Sequence, residues 1–301
     1  MIDAGEGMTP LAVDILPRTQ SLKDRVKNFF SRQKEPVFVE NIPFRLMRDD
    51  LRFLKHKYGI RVAMHRLIPH ENGDVSKIER LSVQEAVRSL DIIREEMAKY
   101  PPEYIRGLGI TRFRIVDDLF HKYKKEEQVG GLAFEKGYIY VATGDDENYF
   151  RQSLHHELFH HFDFRHSEYK RKIKFFGRYI DLVRDANLDS EWHALNPKGT
   201  KYIGKGYKEL QDKNPNMRPT GFAKYYGLKD VLEDRATIAE MLMTNPVMLM
   251  KVAKEDAVLM EKIDKIIILF YKRTGGRMDQ RYFRDLFDSN VAEGYWDKSK
   301  F

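Results

Sequence analysis

The clearest periodic stretch lies over residues 82–100. Ala86, Leu90, Ile93 and Met97 recur at helical spacing. Ser82 and Glu85 form a capping-box pair at its start, and Pro101-Pro102 stops it. A charged, helical pattern also runs over 47–58. Short β-rich runs at 37–39, 60–64 and 113–116 read as strands. Leu132-Ala133-Phe134 and the run 138–142, joined by Glu135-Lys136-Gly137 after Gly130-Gly131, predict a β-hairpin. Asp145-Asp146 can cap a helix over 147–165. Beyond it the pattern predicts helices over 169–184, 231–243 and 247–271, the last two parted by Asn245-Pro246. Residues 192–207 read as an irregular loop, and a short helix near 281–287 follows the Gly275-Gly276 turn. Residues 1–36 read as a loosely attached arm with one helix near 22–30, and 70–74 as a turn and candidate boundary. There is no internal repeat. The expectation is an α+β fold with a small mixed sheet and a mostly helical C-terminal half. It divides into an N-terminal accessory region (1–75), a main domain (76–273) and a packing tail (274–301).

Composition narrows the chemistry. The 301 residues include no cysteine, which excludes disulfides, thiol nucleophiles and Cys-ligated metals. Any transition metal must be held by His and carboxylate. The 42% apolar and 33% charged content is that of a globular chain. The net charge of +7 (53 basic against 46 acidic residues) is spread among both signs, so nucleic acid is an unlikely partner. The first 19 residues contain Asp3, Glu6 and Asp14 and no long apolar run, and the apolar run 266–270 is too short to span a bilayer. A cytoplasmic protein without a membrane span is expected; a leaderless exported protein would look the same.

The informative segment is 154–163, Leu-His-His-Glu-Leu-Phe-His-His-Phe-Asp. His156 and His160, four residues apart, share one helix face and can bind one metal ion. Glu157 between them can reach a metal-bound water without occupying a ligand position. This is the His-Glu-x-x-His pattern of metallopeptidases, with zinc as the usual metal. Chance alone would supply on the order of 0.02 such matches in a chain of this composition. Neither His155 nor His161 has a histidine four residues away in a frame with a central glutamate. Catalytic zinc takes three protein ligands and keeps one position open. The third ligand must be His, Asp or Glu, and the helix from Leu232, with Glu233, Asp234 and Glu240, is the best downstream source.

The chain resembles the glutamate-ligand (gluzincin-type) zinc peptidases. Within them it looks most like the group of the anthrax lethal factor catalytic domain and the Mlc titration factor peptidases. It is also similar to bacterial zinc peptidases that share a Trp-x-x-Leu-Asn-Pro segment and a Glu-Asp-Arg-Ala helix. The resemblance rests on His156-Glu157-x-x-His160 followed by Phe162-Asp163, on Trp192-His193-Ala194-Leu195-Asn196-Pro197, and on Tyr226-Gly227 before Glu233-Asp234-Arg235-Ala236. It covers about residues 85–245. It implies a zincin-like fold, one Zn2+ per chain and a peptide or protein substrate. It makes Glu233 the third ligand and Tyr226 the tyrosine of the site. Glu157 is then the general base. Glu240, seven residues on, is the alternative ligand and otherwise supports the site; Tyr225 is the rival of Tyr226. The strand 138–142 is the expected edge for an extended peptide.

The other polar residues have plainer expectations. Asp163 supports a ligand imidazole or pairs with Arg165 or Arg235. Asp234 and Arg235 are structural, Trp192 packs, and His155 and His161 lie at the surface or beside the ligands. The basic residues Arg165, Lys170, Arg171, Lys172, Lys174 and Arg178 read as a solvated helix face. The alternative function is a non-catalytic, zinc-binding regulatory or nucleic-acid-associated module.

Overall fold

The computed structural model describes residues 47–64, 75–78, 81–117, 119–121, 128–144, 146–166, 171–175, 178–182, 188–215 and 217–292. In chain order the strands are β1 (Arg61–Ala63), β2 (Val75–Ile78), β3 (Arg112–Val116), β4 (Leu119–His121), β5 (Gly131–Phe134), β6 (Tyr138–Ala142), β7 (Arg171–Phe175) and β8 (Arg178–Leu182). The helices are α1 (Arg48–Tyr58), α2 (Val83–Ala98), α3 (Pro102–Gly107), α4 (Glu147–His166) and α5 (Leu188–Ala194). They continue with α6 (Tyr207–Lys213), α7 (Val231–Thr244), α8 (Pro246–Ala253), α9 (Ala257–Arg273) and α10 (Gln280–Ala292). The fold is α+β.

The central sheet has the order β1-β3-β6-β5. β1, β3 and β6 run parallel, and β5 is antiparallel to β6. The β5–β6 hairpin has the predicted strands. Its turn closes at Gly137, whose φ of 88° is open to glycine and strained for other residues. β2–β4 and β7–β8 are separate antiparallel pairs. Helix α2 begins with the predicted box: Glu85 N donates to Ser82 Oγ at 3.2 Å, and Ser82 N donates to Glu85 Oε2 at 2.8 Å. Its periodic residues Ala86, Leu90, Ile93 and Met97 are all buried.

One core joins the layers. It takes Leu54 and Tyr58 from α1, Phe113 and Ile115 from β3, Ile139 and Val141 from β6, Leu154 and Phe162 from α4, Ile238 from α7 and Ile263 from α9. Each such side chain contributes about 1.5–3 kcal/mol on burial. Residues 47–64 thus complete the main sheet and its core. Helices α4 and α7 pack side by side and are joined by charge. Arg235 Nε donates to Asp163 Oδ1 at 2.9 Å, and its Nη1 lies 2.7 Å from Asp189 Oδ1. Asp234 Oδ2 accepts from Trp192 Nε1 (2.9 Å), Tyr202 Oη (2.9 Å) and Lys262 Nζ (2.6 Å). The tryptophan segment and the acidic helix are therefore one unit.

Several expectations are corrected. Residues 171–175 and 178–182 pair as β7 and β8 where a helix over 169–184 is expected. Their alternation, Lys172-Ile173-Lys174-Phe175 and Arg178-Tyr179-Ile180-Asp181-Leu182, has the period of a strand. The helix expected over 247–271 is two. Asp256 breaks it by capping α9, its Oδ1 accepting from Leu259 N at 3.0 Å. Within the expected loop 192–207, Trp192 belongs to α5. The last helix runs over Gln280–Ala292, longer than 281–287. The helix near 22–30, the strand 37–39 and the turn 70–74 lie outside the described residues. Among the described residues no helix is long and apolar enough to cross a membrane.

Candidate metal centre

Helix α4 lays His156, Glu157 and His160 against the first turns of α7. The two imidazoles meet nearly edge to face, with centroids 4.6 Å apart and an 87° interplanar angle. Helix α7 starts at Asp230, whose Oδ1 accepts from Leu232 N and Glu233 N, each at 3.0 Å. That cap fixes Glu233 in the first turn, facing α4. Glu233 Oε2 lies 2.8 Å from His156 Nε2 and 3.3 Å from His160 Nε2. Donor atoms of His156, His160 and Glu233 all fall within 4.8 Å of one another.

Glu240 sits on the opposite side of the His156 ring. Its Oε2 is 2.7 Å from His156 Nδ1, and its Oε1 accepts from Lys224 Nζ at 2.5 Å. It therefore touches the nitrogen that points away from the cluster. Tyr226 stands on a 3-10 turn, Tyr225–Leu228, with its ring 5.7 Å from that of His156. Its hydroxyl donates to Glu233 Oε1 at 3.1 Å. Tyr225 turns away, donating to Asn214 O at 2.8 Å.

Electrostatics follow from burial and neighbours. Burial opposes charge on His156, but Glu233 and Glu240 outweigh it and push its pKa up to about 10 in the metal-free chain. Burial also works against a charged Glu233, yet His156 and His160 hold its carboxyl well below the usual range. Glu157 goes the other way: burial, with help from Glu233, raises its affinity for a proton above that of an ordinary glutamate. Tyr226 is pushed far up, by burial and then by Glu233 and Glu157.

The donor set suits zinc. Two imidazoles and one carboxylate, without sulfur, make a His2Glu set that leaves a fourth position open. Two of the atoms that point out of the cluster have partners: Glu240 at His156 Nδ1, and Tyr226 and Lys229 at Glu233 Oε1. Such outer contacts orient metal ligands.

The sheet edge beside the cluster is β5. β6 lies between β3 and β5, so the strand 138–142 is interior and the expectation of an edge there is corrected. Ala142 N donates to Gly130 O, which sets the alternation and turns the backbone groups of Gly131 and Ala133 outward. The Ala133 N–H donates to the Glu157 carboxyl. Gly131 makes room for that residue: a Cβ there would come within 2.6 Å of Glu157 Cγ.

His155 and His161 are not at the surface. His155 is buried between Tyr100 Oη (2.6 Å from Nδ1) and Glu96 Oε2 (2.6 Å from Nε2). His161 Nε2 faces Tyr138 O at 3.3 Å, and burial pushes its pKa down to about 4. Asp163 pairs with Arg235 and joins α4 to α7. Arg165 donates to Leu108 O at 3.1 Å, so it is no part of a free basic face. Gly131, Lys224, Lys229 and Glu96 were missed from sequence. The spacing Lys229–Glu233, one helical turn, was the available signal for one of them.

No protein-family model and no curated protein match the chain. A solved structure does: that of a "putative zinc-binding metallo-peptidase" from Bacteroides caccae ATCC 43185. It aligns at a TM-score of 0.50 with 13% sequence identity, over 82% of this chain and 94% of the other. At that identity the likeness is one of fold: the chain has a metallopeptidase-like fold.

Proposed function

We propose that the chain is a zinc-dependent peptidase. The observation that carries this reading is the convergence of His156 Nε2, His160 Nε2 and Glu233 Oε2 beside the buried carboxyl of Glu157. His156, His160 and Glu233 would hold one Zn2+, which would act as a Lewis acid toward a peptide carbonyl and activate water. Glu157 is the base. It takes a proton from the attacking water and returns it to the leaving amine. Tyr226 is the candidate donor to the oxyanion, from its position beside Glu233. The outward N–H and C=O of Gly131 and the C=O of Ala133 on β5 would pair with an extended substrate.

Glu157→Gln is the test. It should keep one zinc per chain and lower peptide hydrolysis by at least about 100-fold, the lower range for a lost acid–base group. Metal content by atomic absorption and cleavage of a mixed peptide pool are the measurements. Full activity in the variant would remove Glu157 from the mechanism. Stoichiometric zinc without cleavage by the unaltered chain would favour a regulatory module.

A further inference from the structure

Two lysines flank the 3-10 turn that carries Tyr226, and each reaches one carboxylate of α7. Lys224 Nζ donates to Glu240 Oε1 at 2.5 Å, and Lys229 Nζ donates to Glu233 Oε1. The other oxygen of each carboxylate meets His156, Glu240 Oε2 at Nδ1 (2.7 Å) and Glu233 Oε2 at Nε2 (2.8 Å). The cluster is thus a chain, Lys224–Glu240–His156–Glu233–Lys229.

Lys229 is the more consequential end, because Glu233 is the carboxylate that faces both imidazoles. Its ammonium touches two groups of the centre: besides Glu233 Oε1 it lies 3.2 Å from Tyr226 Oη. It also lies 5.1 Å from the centroid of the Tyr226 ring. Resting on the reading of the site as a zinc centre, we propose that Lys229 is a positioning residue: it holds Glu233 by Oε1, so that the carboxylate offers one oxygen, Oε2, to the metal. A carboxylate free to turn about its last bond can present either oxygen or both. A charge-assisted bond to one of them removes that freedom. A solvent-exposed ion pair at this spacing would count for little. Here the Glu233 side chain is only 9% exposed, and the lysine is shared with the tyrosine of the site.

A second consequence concerns Tyr226. Its hydroxyl hydrogen is directed at Glu233 Oε1, which Lys229 also serves. With the ammonium in place, that oxygen keeps a donor when the tyrosine turns its hydrogen toward a substrate oxyanion. Lys229 and Tyr226 are therefore coupled.

The test uses the full chain. Zinc affinity is read by competition with a chromophoric chelator, and folding of the metal-free protein by thermal melting. Lys229→Met should weaken zinc binding by about 10- to 100-fold, the usual cost of losing a ligand's support, and Lys229→Arg should restore most of it. Hydrolysis by Tyr226→Phe, Lys229→Met and the double variant should be non-additive, the double losing less than the product of the two. Equal or tighter zinc binding by Lys229→Met overturns the inference while leaving the zinc centre standing. An unaltered chain that binds no zinc overturns both. Should Lys229→Met fail to fold, Lys229→Gln keeps a neutral donor and should show part of the same loss; unchanged affinity in it overturns the inference as well.

Discussion

His155 and His156 are adjacent on α4 and both are buried, yet their rings meet different charges. His156 lies between Glu233 and Glu240, and its proton affinity rises despite burial. His155 lies between Tyr100 and Glu96 and goes the other way. Burial lowers its pKa, and Lys99 and Arg151 support that shift against Glu96. The Glu96 charge is already claimed: Lys99 Nζ is 2.6 Å from it, and Arg151 binds its other oxygen. On the front face His156 is the shared partner of Glu233 and Glu240, whose other oxygens take Lys229 and Lys224. Desolvation is common to both histidines and does not separate their roles. The balance of fixed charge around each ring does. At the front two carboxylates meet one imidazole; at the rear a single carboxylate is shared with Lys99 and Arg151 in a joint between α2 and α4.

The largest effect that would break this contrast is at Glu233. Glu233→Ala should take zinc content from one per chain to none detectable by atomic absorption, in protein that still melts cooperatively. If Glu240→Ala alone does so, the ligand assignment is wrong. The rear should respond in the opposite currency. Glu96→Ala should cost about 3 kcal/mol of stability, because it strands charges of a buried network, and leave zinc stoichiometry unchanged. Denaturant unfolding and metal analysis of the same sample read both.

The rear network has a pH signature too. Burial raises the Glu96 pKa, but His155 and Lys99 outweigh it and hold the folded carboxyl well below the ordinary glutamate value of 4.5. Its stabilising contribution is therefore present above 4.5 and lost as pH falls below it. The melting temperature of Glu96→Ala should fall less steeply with acid than that of the unaltered chain. The smallest effect is expected at Glu240→Gln, which keeps a partner at His156 Nδ1 but not its charge. Zinc affinity should drop about tenfold, at the low end for a lost supporting carboxylate. No change would mean that Glu240 does not orient the ring.

Much of this was legible locally. The Ser82–Glu85 box, the hairpin around Gly137 and the placement of His156, Glu157 and His160 on one helix follow from rules that act within a few residues. Elsewhere two local signals compete, and the more visible one does not match the fold. The basic residues at 171–178 mask a period-two alternation, and the apolar-rich helical pattern over 247–271 masks Asp256 as a cap. The two outer histidines were misplaced for a different reason. His155 and His161 are two of six polar residues in a row of ten, and a sequence row says nothing about which partners arrive from other elements to satisfy them.

From the chain of letters alone came the exclusion of sulfur ligands, since there is no cysteine to place. The turn-by-turn geometry of the His-Glu-x-x-His helix came from there too. The fold added the relations between distant segments. β5 rather than β6 is the edge because β3, from earlier in the chain, occupies the other side of β6. Glu233 and Glu240 sort into different positions because α7 crosses α4 with His156 between them, one carboxylate at each ring nitrogen. Helical spacing puts both glutamates on one face. Only the packing of the second helix determines which nitrogen each one meets.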